Sequence, residues 1–185
     1  MTRIFDILFS FFGLLILSPL ILILLFIGLF DTGSPLFRQE RVGLNLKPFN
    51  LLKFRSMHLN TQTVATHLVQ ISAITKWGSF LRKTKLDELP QLFNVLIGDM
   101  SFVGPRPNLF IQTELIEERD KRGVYAFRPG ITGLSQINKV DMSTPQLLAE
   151  TDAKMISDLN VFNYFRYIIS TLLGKGFGDR VTKSF

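Results

Sequence analysis

Cysteine is absent from all 185 residues, which excludes disulfides, thiolate metal sites and a cysteine nucleophile and fits a reducing compartment. Histidine is nearly absent too. His58 and His67 share no metal-ligand spacing and no partner motif, so both are read as surface residues. Charge is missing from residues 7–30 (ILFSFFGLLILSPLILILLFIGLF), and so long an uncharged run reads as membrane-embedded. No second run of this kind follows, which excludes a multi-spanning transporter or transferase. A secretory signal is a poor reading of this N-terminus. Its first residues offer only Arg3, the apolar part exceeds the usual ~7–15 residues, and no small-x-small cleavage pattern follows. Residues 31–185 are enough for one domain with its own core.

Ser18-Pro19 divides the apolar run near its middle. Proline removes one N–H and crowds the carbonyl four residues back, here Leu15, a penalty of about 3 kcal/mol for a straight helix. The Ser18 hydroxyl can help to satisfy that carbonyl. Two short helices meeting at an angle would enter and leave by one membrane face, as the positive charge on both flanks (Arg3, Arg38, Arg41) also suggests. The alternative is a kinked helix that spans.

Basic charge is uneven. Residues 31–107 carry ten Lys/Arg against five Asp/Glu, and residues 108–185 carry ten against nine. The excess therefore lies next to the membrane element, where it suits anionic head groups and a phosphorylated substrate, or a positive-inside signature alone.

Residues 35–41 and 48–55 predict two strands joined by a turn at Val42-Gly43-Leu44-Asn45. Residues 58–75 have no clear period and read as a loop or short helix. Helices are expected over 77–84, 89–97 (stopping at Gly98), 109–121 and, as one or two elements, 145–173. The segment Arg128-Pro129-Gly130-Ile131-Thr132-Gly133 reads as turn chemistry with two glycines available for positive φ. In the last helix Ile156, Leu159, Phe162, Phe165, Ile169 and Leu172 form a stripe flanked by Tyr164 and Tyr167. It reads as core, with a membrane-surface helix as the alternative.

The densest chemistry is in Lys85-Leu86-Asp87-Glu88-Leu89-Pro90-Gln91. Pro90 suits a first helical turn, which makes Asp87 the expected N-cap. The helix dipole, with Arg82 and Lys85 nearby, is then expected to lower the Asp87 pKa. An ionised carboxylate here can attack phosphorus, and Glu88 can share a magnesium ion with substrate phosphates. Without further context, a plain cap and a dipole-stabilising glutamate are the commoner reading of such a pair. Context is supplied by Gly104-Pro105-Arg106-Pro107, an arginine between two prolines whose planar fork suits phosphate, by Lys53 and Arg55 on one strand face, and by Arg128. Cations gathered about an acidic pair are what phosphoryl transfer requires, although any one of them can serve a salt bridge instead.

Taken together, Lys53-Phe54-Arg55-Ser56-Met57, Leu86-Asp87-Glu88-Leu89-Pro90-Gln91, Gly98-Asp99-Met100-Ser101, Gly104-Pro105-Arg106-Pro107 and Arg128-Pro129-Gly130-Ile131-Thr132-Gly133-Leu134 resemble the bacterial sugar transferases, the monotopic phosphoglycosyl transferases. The resemblance covers nearly the whole chain, to about residue 173. It implies transfer of a sugar 1-phosphate from a UDP-sugar to undecaprenyl phosphate with release of UMP. In that reaction Asp87 is the covalent nucleophile and Glu88 the magnesium ligand. Arg106 contacts the nucleotide, and Arg55, Arg82, Arg128 and Lys53 lie near the phosphates. Asp152 is placed near the site without a role.

The implied fold is α+β: a mainly helical soluble domain (31–185) with a small β-hairpin and membrane-surface helices, on a re-entrant membrane hairpin (1–30) broken at Ser18-Pro19. The expected location is the bacterial inner membrane, with the domain on the cytoplasmic face. No nucleic-acid partner is expected, and a homodimer is left open. The chain reads as a minimal form, without the multi-helix domain that larger members carry first. Ser135 and Asn138-Lys139-Val140-Asp141 depart from the family pattern and bear on sugar choice. Asp141 to Pro145 and Gly174 to Arg180 hint at an N-acetylated or deoxygenated sugar. Direct transfer in a ternary complex is open beside the covalent route. A non-catalytic membrane adaptor that binds anionic lipid or nucleic acid is the alternative of a different class, but it gives paired acids no task.

Overall fold

A computed structural model describes residues 2–59 and 73–175. The apolar run forms one helix, α1 (Thr2–Thr32), with Pro19 inside it. Proline does not end the helix, because Ser18 Oγ donates to the Leu15 carbonyl at 2.8 Å, replacing the amide bond that Pro19 cannot make. α1 is long and apolar enough to cross a membrane.

Both halves of α1 rest on the same globular body. At its N-terminal end, Arg3 donates to the Val95 and Leu96 carbonyls at 2.6 and 3.0 Å. Near its other end, Leu20, Ile21, Leu24 and Leu25 pack on Phe54, Trp77, Leu81, Leu86 and Leu89, and Asp31 accepts the Thr75 hydroxyl at 2.7 Å. Asp6, buried in an otherwise apolar stretch, accepts from Ser101 Oγ, the Phe102 amide and Tyr164 Oη at 2.8–3.0 Å. Three donors make an interior carboxylate tolerable there. The outward face (Ile4, Ile16, Leu22, Phe26, Phe30) is apolar and exposed.

The hairpin forms as the sequence predicts, with β1 (Leu36–Val42) antiparallel to β2 (Pro48–Phe54). α2 (Lys76–Thr84) starts on a Thr75 side-chain cap, Oγ1 accepting the Gly78 amide at 2.8 Å. α3 (Gln91–Ile97) stops at Gly98, whose φ of 99° is the left-handed geometry that favours glycine. Helices α4 (Thr113–Asp120), α5 (Leu134–Ile137), α6 (Pro145–Ser157) and α7 (Val161–Leu172) close the domain.

Three expectations are corrected. Segments read as loop and turn form a second sheet, with β3 (Ser101–Val103) parallel to β4 (Gly130–Thr132). Strands this short leave almost no alternation to read. Gly130 is therefore strand, and Gly133 is extended at φ 177°, so neither takes positive φ. Gly130 is required by close approach instead: a Cβ there would lie 2.0 Å from the Gly104 amide nitrogen. The third correction concerns the α7 stripe. Phe162 and Leu172 are 75% and 80% exposed, whereas Tyr164 is 0% exposed. The tyrosines, not the whole stripe, enter the core beside Val103 and Met155, because the Tyr164 hydroxyl finds a buried partner in Asp6. Most of 58–75, including His67, lies outside the described residues, as does Gly176 to Arg180; His58 is exposed.

Candidate active site

The acidic pair does not cap a helix. Leu86–Glu88 form a single 3₁₀ turn between α2 and α3, and no side chain caps the start of either the turn or α3. The chain enters this turn through Lys85 at φ 59°, a left-handed geometry costing a non-glycine residue about 1–2 kcal/mol. Such strain tends to collect at functional sites. Leu86 and Leu89, on either side of the pair, pack into the apolar cluster against α1. The carboxylates are therefore set by the membrane-type helix itself.

Asp87 is 4% exposed, and burial pushes its pKa up to about 6, with Glu88 adding and Lys53, Arg82 and Arg106 opposing. The expected lowering is thus reversed. The dipole argument assumed a solvated cap, whereas desolvation outweighs the surrounding cations. The group still ionises below neutral pH and carries its charge in a poorly solvating setting.

Glu88 faces the cations more directly. Its Oε1 lies 3.8 Å from Lys53 Nζ and 4.0 Å from Arg106 Nη2. These three line a shallow, solvent-open cleft together with Arg41 and Gln91. Burial pulls Lys53 down to about 8, against Glu88, and brings Arg41 to about 10, with Arg106 adding to the effect. At neutral pH both are cations, so the cleft gathers Arg41, Lys53 and Arg106 around one glutamate and fits a multiply charged anion.

The remaining predicted cations fall at different distances from this centre. Arg82 donates through Nε to Ser56 Oγ at 2.8 Å, its Nη1 is buried with no hydrogen-bond partner, and it acts electrostatically on Asp87. It belongs to the acid's environment. Arg55 is committed elsewhere, with Nε donating to the Ser34 carbonyl at 2.8 Å and its guanidinium over Phe37, so it ties β2 to the end of α1. Arg128 donates to the Gly98 carbonyl at 2.8 Å, joining the start of β4 to the end of α3. Asp152 is fully buried and bonded to Arg119 and Ser135. It does not line the cleft. Ser135 is likewise 1% exposed, turned to Asp152, and not among the side chains that line the cleft.

Sequence reasoning missed three contributors. Arg41, noted only as flanking charge, enters the cleft because β1 alternation turns it inward with Gln39 Oε1 as its partner at 3.1 Å. Gln91 follows the pair by three residues. Asn94, 1% exposed, accepts the Leu52 amide at 3.0 Å and donates to the Asn50 carbonyl at 2.8 Å, clamping β2, and so Lys53, to α3. A buried polar residue among apolar ones was its only signal.

For magnesium, the residues present fit one arrangement. Among the described residues there is no group of three or more His, Asp, Glu or Cys placed to hold a metal, so an all-protein cage does not fit. A single cleft carboxylate, Glu88, ringed by phosphate-type cations fits a hard ion that takes most of its ligands from water and substrate phosphate.

A buried acid beside a cationic cleft, on a body that carries a helix long and apolar enough to cross a membrane, fits a protein that handles a multiply charged anion. Comparison with known sequences places it further. The chain matches the model of the family described as bacterial sugar transferase over residues 1–175, and it belongs to that family. It is 39% identical over 197 aligned residues to the exopolysaccharide production protein PSS of Rhizobium leguminosarum bv. phaseoli, covering 95% of this chain and 97% of that one. It is 38% identical to the UDP-glucose:undecaprenyl-phosphate glucose-1-phosphate transferase of Escherichia coli K12, over 95% of this chain and 40% of that one. Against the undecaprenyl-phosphate galactose phosphotransferase of Salmonella typhimurium the identity is 42%, over 77% and 34% respectively. The chain thus spans about a third of several curated relatives' length.

Proposed function

We propose that this protein transfers a sugar 1-phosphate from a UDP-sugar to undecaprenyl phosphate, releasing UMP, in a membrane step of bacterial polysaccharide assembly. Family membership and the names of the Escherichia and Salmonella relatives support the reaction class. The observation that carries the assignment is the buried, non-capping Asp87 held against Lys53, Arg82 and Arg106.

An Asp87 oxygen attacks the phosphorus that bears the sugar, forming a carboxyl–phosphate bond while the bond to the UMP oxygen breaks. A phosphate oxygen of the lipid then attacks the same phosphorus and returns Asp87 as a carboxylate. Burial supports this role, because a poorly solvated carboxylate is the more reactive nucleophile. Lys53, Arg41 and Arg106 take the charge that develops on the leaving nucleotide. Glu88 would hold a magnesium ion, which when bound supplies charge neutralisation across the diphosphate.

The apolar outward faces of α1 and α7 rest in the bilayer in this reading. In this reading α1 bends about Ser18-Pro19 without ending there, so that it enters and leaves by one membrane face. Support comes from both its halves touching one globular body, which a helix projecting across the bilayer does not do. The globular part then lies on the cytoplasmic face of the inner membrane.

The test is UMP release by detergent-purified protein given magnesium and a panel of UDP-sugars, with and without undecaprenyl phosphate, beside Asp87→Asn. Intact mass is followed before lipid is added. UMP from one sugar, lost in the variant, with a phosphosugar-sized mass gain, is expected. Turnover that survives in Asp87→Asn sinks the nucleophile assignment.

A further inference from the structure

Behind the Pro105-Arg106-Pro107 turn, polar side chains form a network closed to solvent. Arg119 of α4, 1% exposed, donates through Nε and Nη2 to Asp152 Oδ2 at 3.0 and 2.6 Å. Its Nη1 donates to the Arg106 carbonyl at 2.8 Å and to Asn108 Oδ1 at 2.9 Å. The other Asp152 oxygen accepts the Ser135 hydroxyl at 2.6 Å.

A buried ion pair is a poor source of stability. Desolvating two charges offsets most of their attraction, and an apolar pair of similar size serves as well or better. What an apolar pair cannot do is hold a carbonyl. The carbonyl held here belongs to Arg106, whose guanidinium approaches Glu88 at the cleft.

Its neighbours are held the same way, each by a different element. The Pro105 carbonyl accepts the Gly130 amide of β4 at 2.8 Å, and the Pro107 carbonyl accepts Arg41 Nη1 of β1 at 3.1 Å. The flanking rings fix φ at 105 and 107. The carbonyl direction at 106 sets ψ of Arg106, and with it the direction in which its side chain leaves the backbone.

We propose that Arg119, clamped by Asp152, is a positioning residue that aims Arg106 into the cleft. Its kinetic consequence rests on the transferase reading; its structural consequence does not. The test compares wild type, Arg106→Ala, the pair Arg119→Met/Asp152→Leu, which leaves no lone buried charge, and all three changes combined.

The pair is expected to lower kcat/KM for UMP release on the order of 10- to 100-fold in the wild-type background. In the Arg106→Ala background the further loss should be less than about threefold, because the group being aimed is gone. An equal loss in both backgrounds, or no loss in the first, overturns the proposal. Arg119→Lys keeps both charges but has no planar fork to serve Asp152 and the carbonyl together, and it should show the same pattern more weakly.

A second readout needs no turnover. Amide hydrogen exchange at Gly104, Arg106, Asn108 and Leu109 should quicken in the pair variant while β1 and β2 keep their protection, and unchanged exchange overturns the proposal. If the wild type releases UMP from no UDP-sugar, the transferase reading falls and the exchange result alone decides the positioning role.

Discussion

Asp87 and Asp152 are both buried aspartates associated with arginine, yet they are built for opposite ends. Asp152 is 0% exposed, sits 2.6 Å from Arg119, and has a donor on each oxygen. Asp87 is nearly as buried, but its cations act mainly through space, and desolvation wins over them, leaving its pKa near 6. A satisfied buried acid is part of the scaffold. An acid buried beyond what its partners compensate is held at a cost, and the free energy stored there is available to chemistry.

The sharpest way to break the comparison is to neutralise each acid in turn. Asp87→Asn is expected to cut UMP release by more than about a thousandfold, as loss of a nucleophile does, and to leave the fold intact. Asp152→Ala is expected to act first on stability. It strands the Arg119 charge in the interior, which costs about 3–5 kcal/mol, a fall in Tm on the order of 10 °C for a chain of this size. Thermal unfolding of both variants in one detergent checks this. An Asp152→Ala protein as stable as wild type would mean that the two acids are not different in kind.

The pH dependence separates them further. The folded pKa of Asp87 is raised to about 6 from an ordinary 3.8. Its contribution to stability is therefore fully present below about pH 3.8 and is lost as pH rises through 6. Asp87→Asn removes that cost. The variant should equal wild type near pH 4 and exceed it by about 2–3 kcal/mol at pH 7.5, most of the change falling between the two pKa values. Urea midpoints across that range measure it, and a pH-independent difference would show that Asp87 is not held in a desolvated state.

The two acids were not equally legible in the sequence. Asp87 announced itself through an adjacent acid, a proline and a cluster of cations, and the hairpin carrying Lys53 was readable from alternation and a glycine turn. Its electrostatics were not, because the dipole and the neighbouring charges are local whereas burial under Leu86, Leu89 and α1 is tertiary. Asp152 is marked only by family resemblance, and nothing in the sequence points to its bond with Arg119 behind the cleft. Its partner Arg119 lies in Glu117-Glu118-Arg119-Asp120-Lys121-Arg122, a run of charge that reads as a solvated face until packing turns one of the six inward. The β3–β4 pair escaped for a related reason. Three-residue strands have no period of their own, and the close approach of Gly104 to Gly130 that fixes them is visible only once the chain is folded.

The smallest expected effect concerns Ser135, for which the family resemblance suggests a part in sugar choice. Its hydroxyl spends its one proton on Asp152 Oδ1 at 2.6 Å, inside a closed layer behind the cleft. Ser135→Ala leaves that oxygen short of one donor while Arg119 keeps the carboxylate paired through the other. The expected cost is about 1 kcal/mol, or a few degrees in Tm. The ranking of UDP-sugars in the UMP-release panel should not change, because nothing of Ser135 reaches the cleft surface. An altered sugar preference with unchanged stability would reverse the assignment and bring the Asp152 layer into contact with substrate.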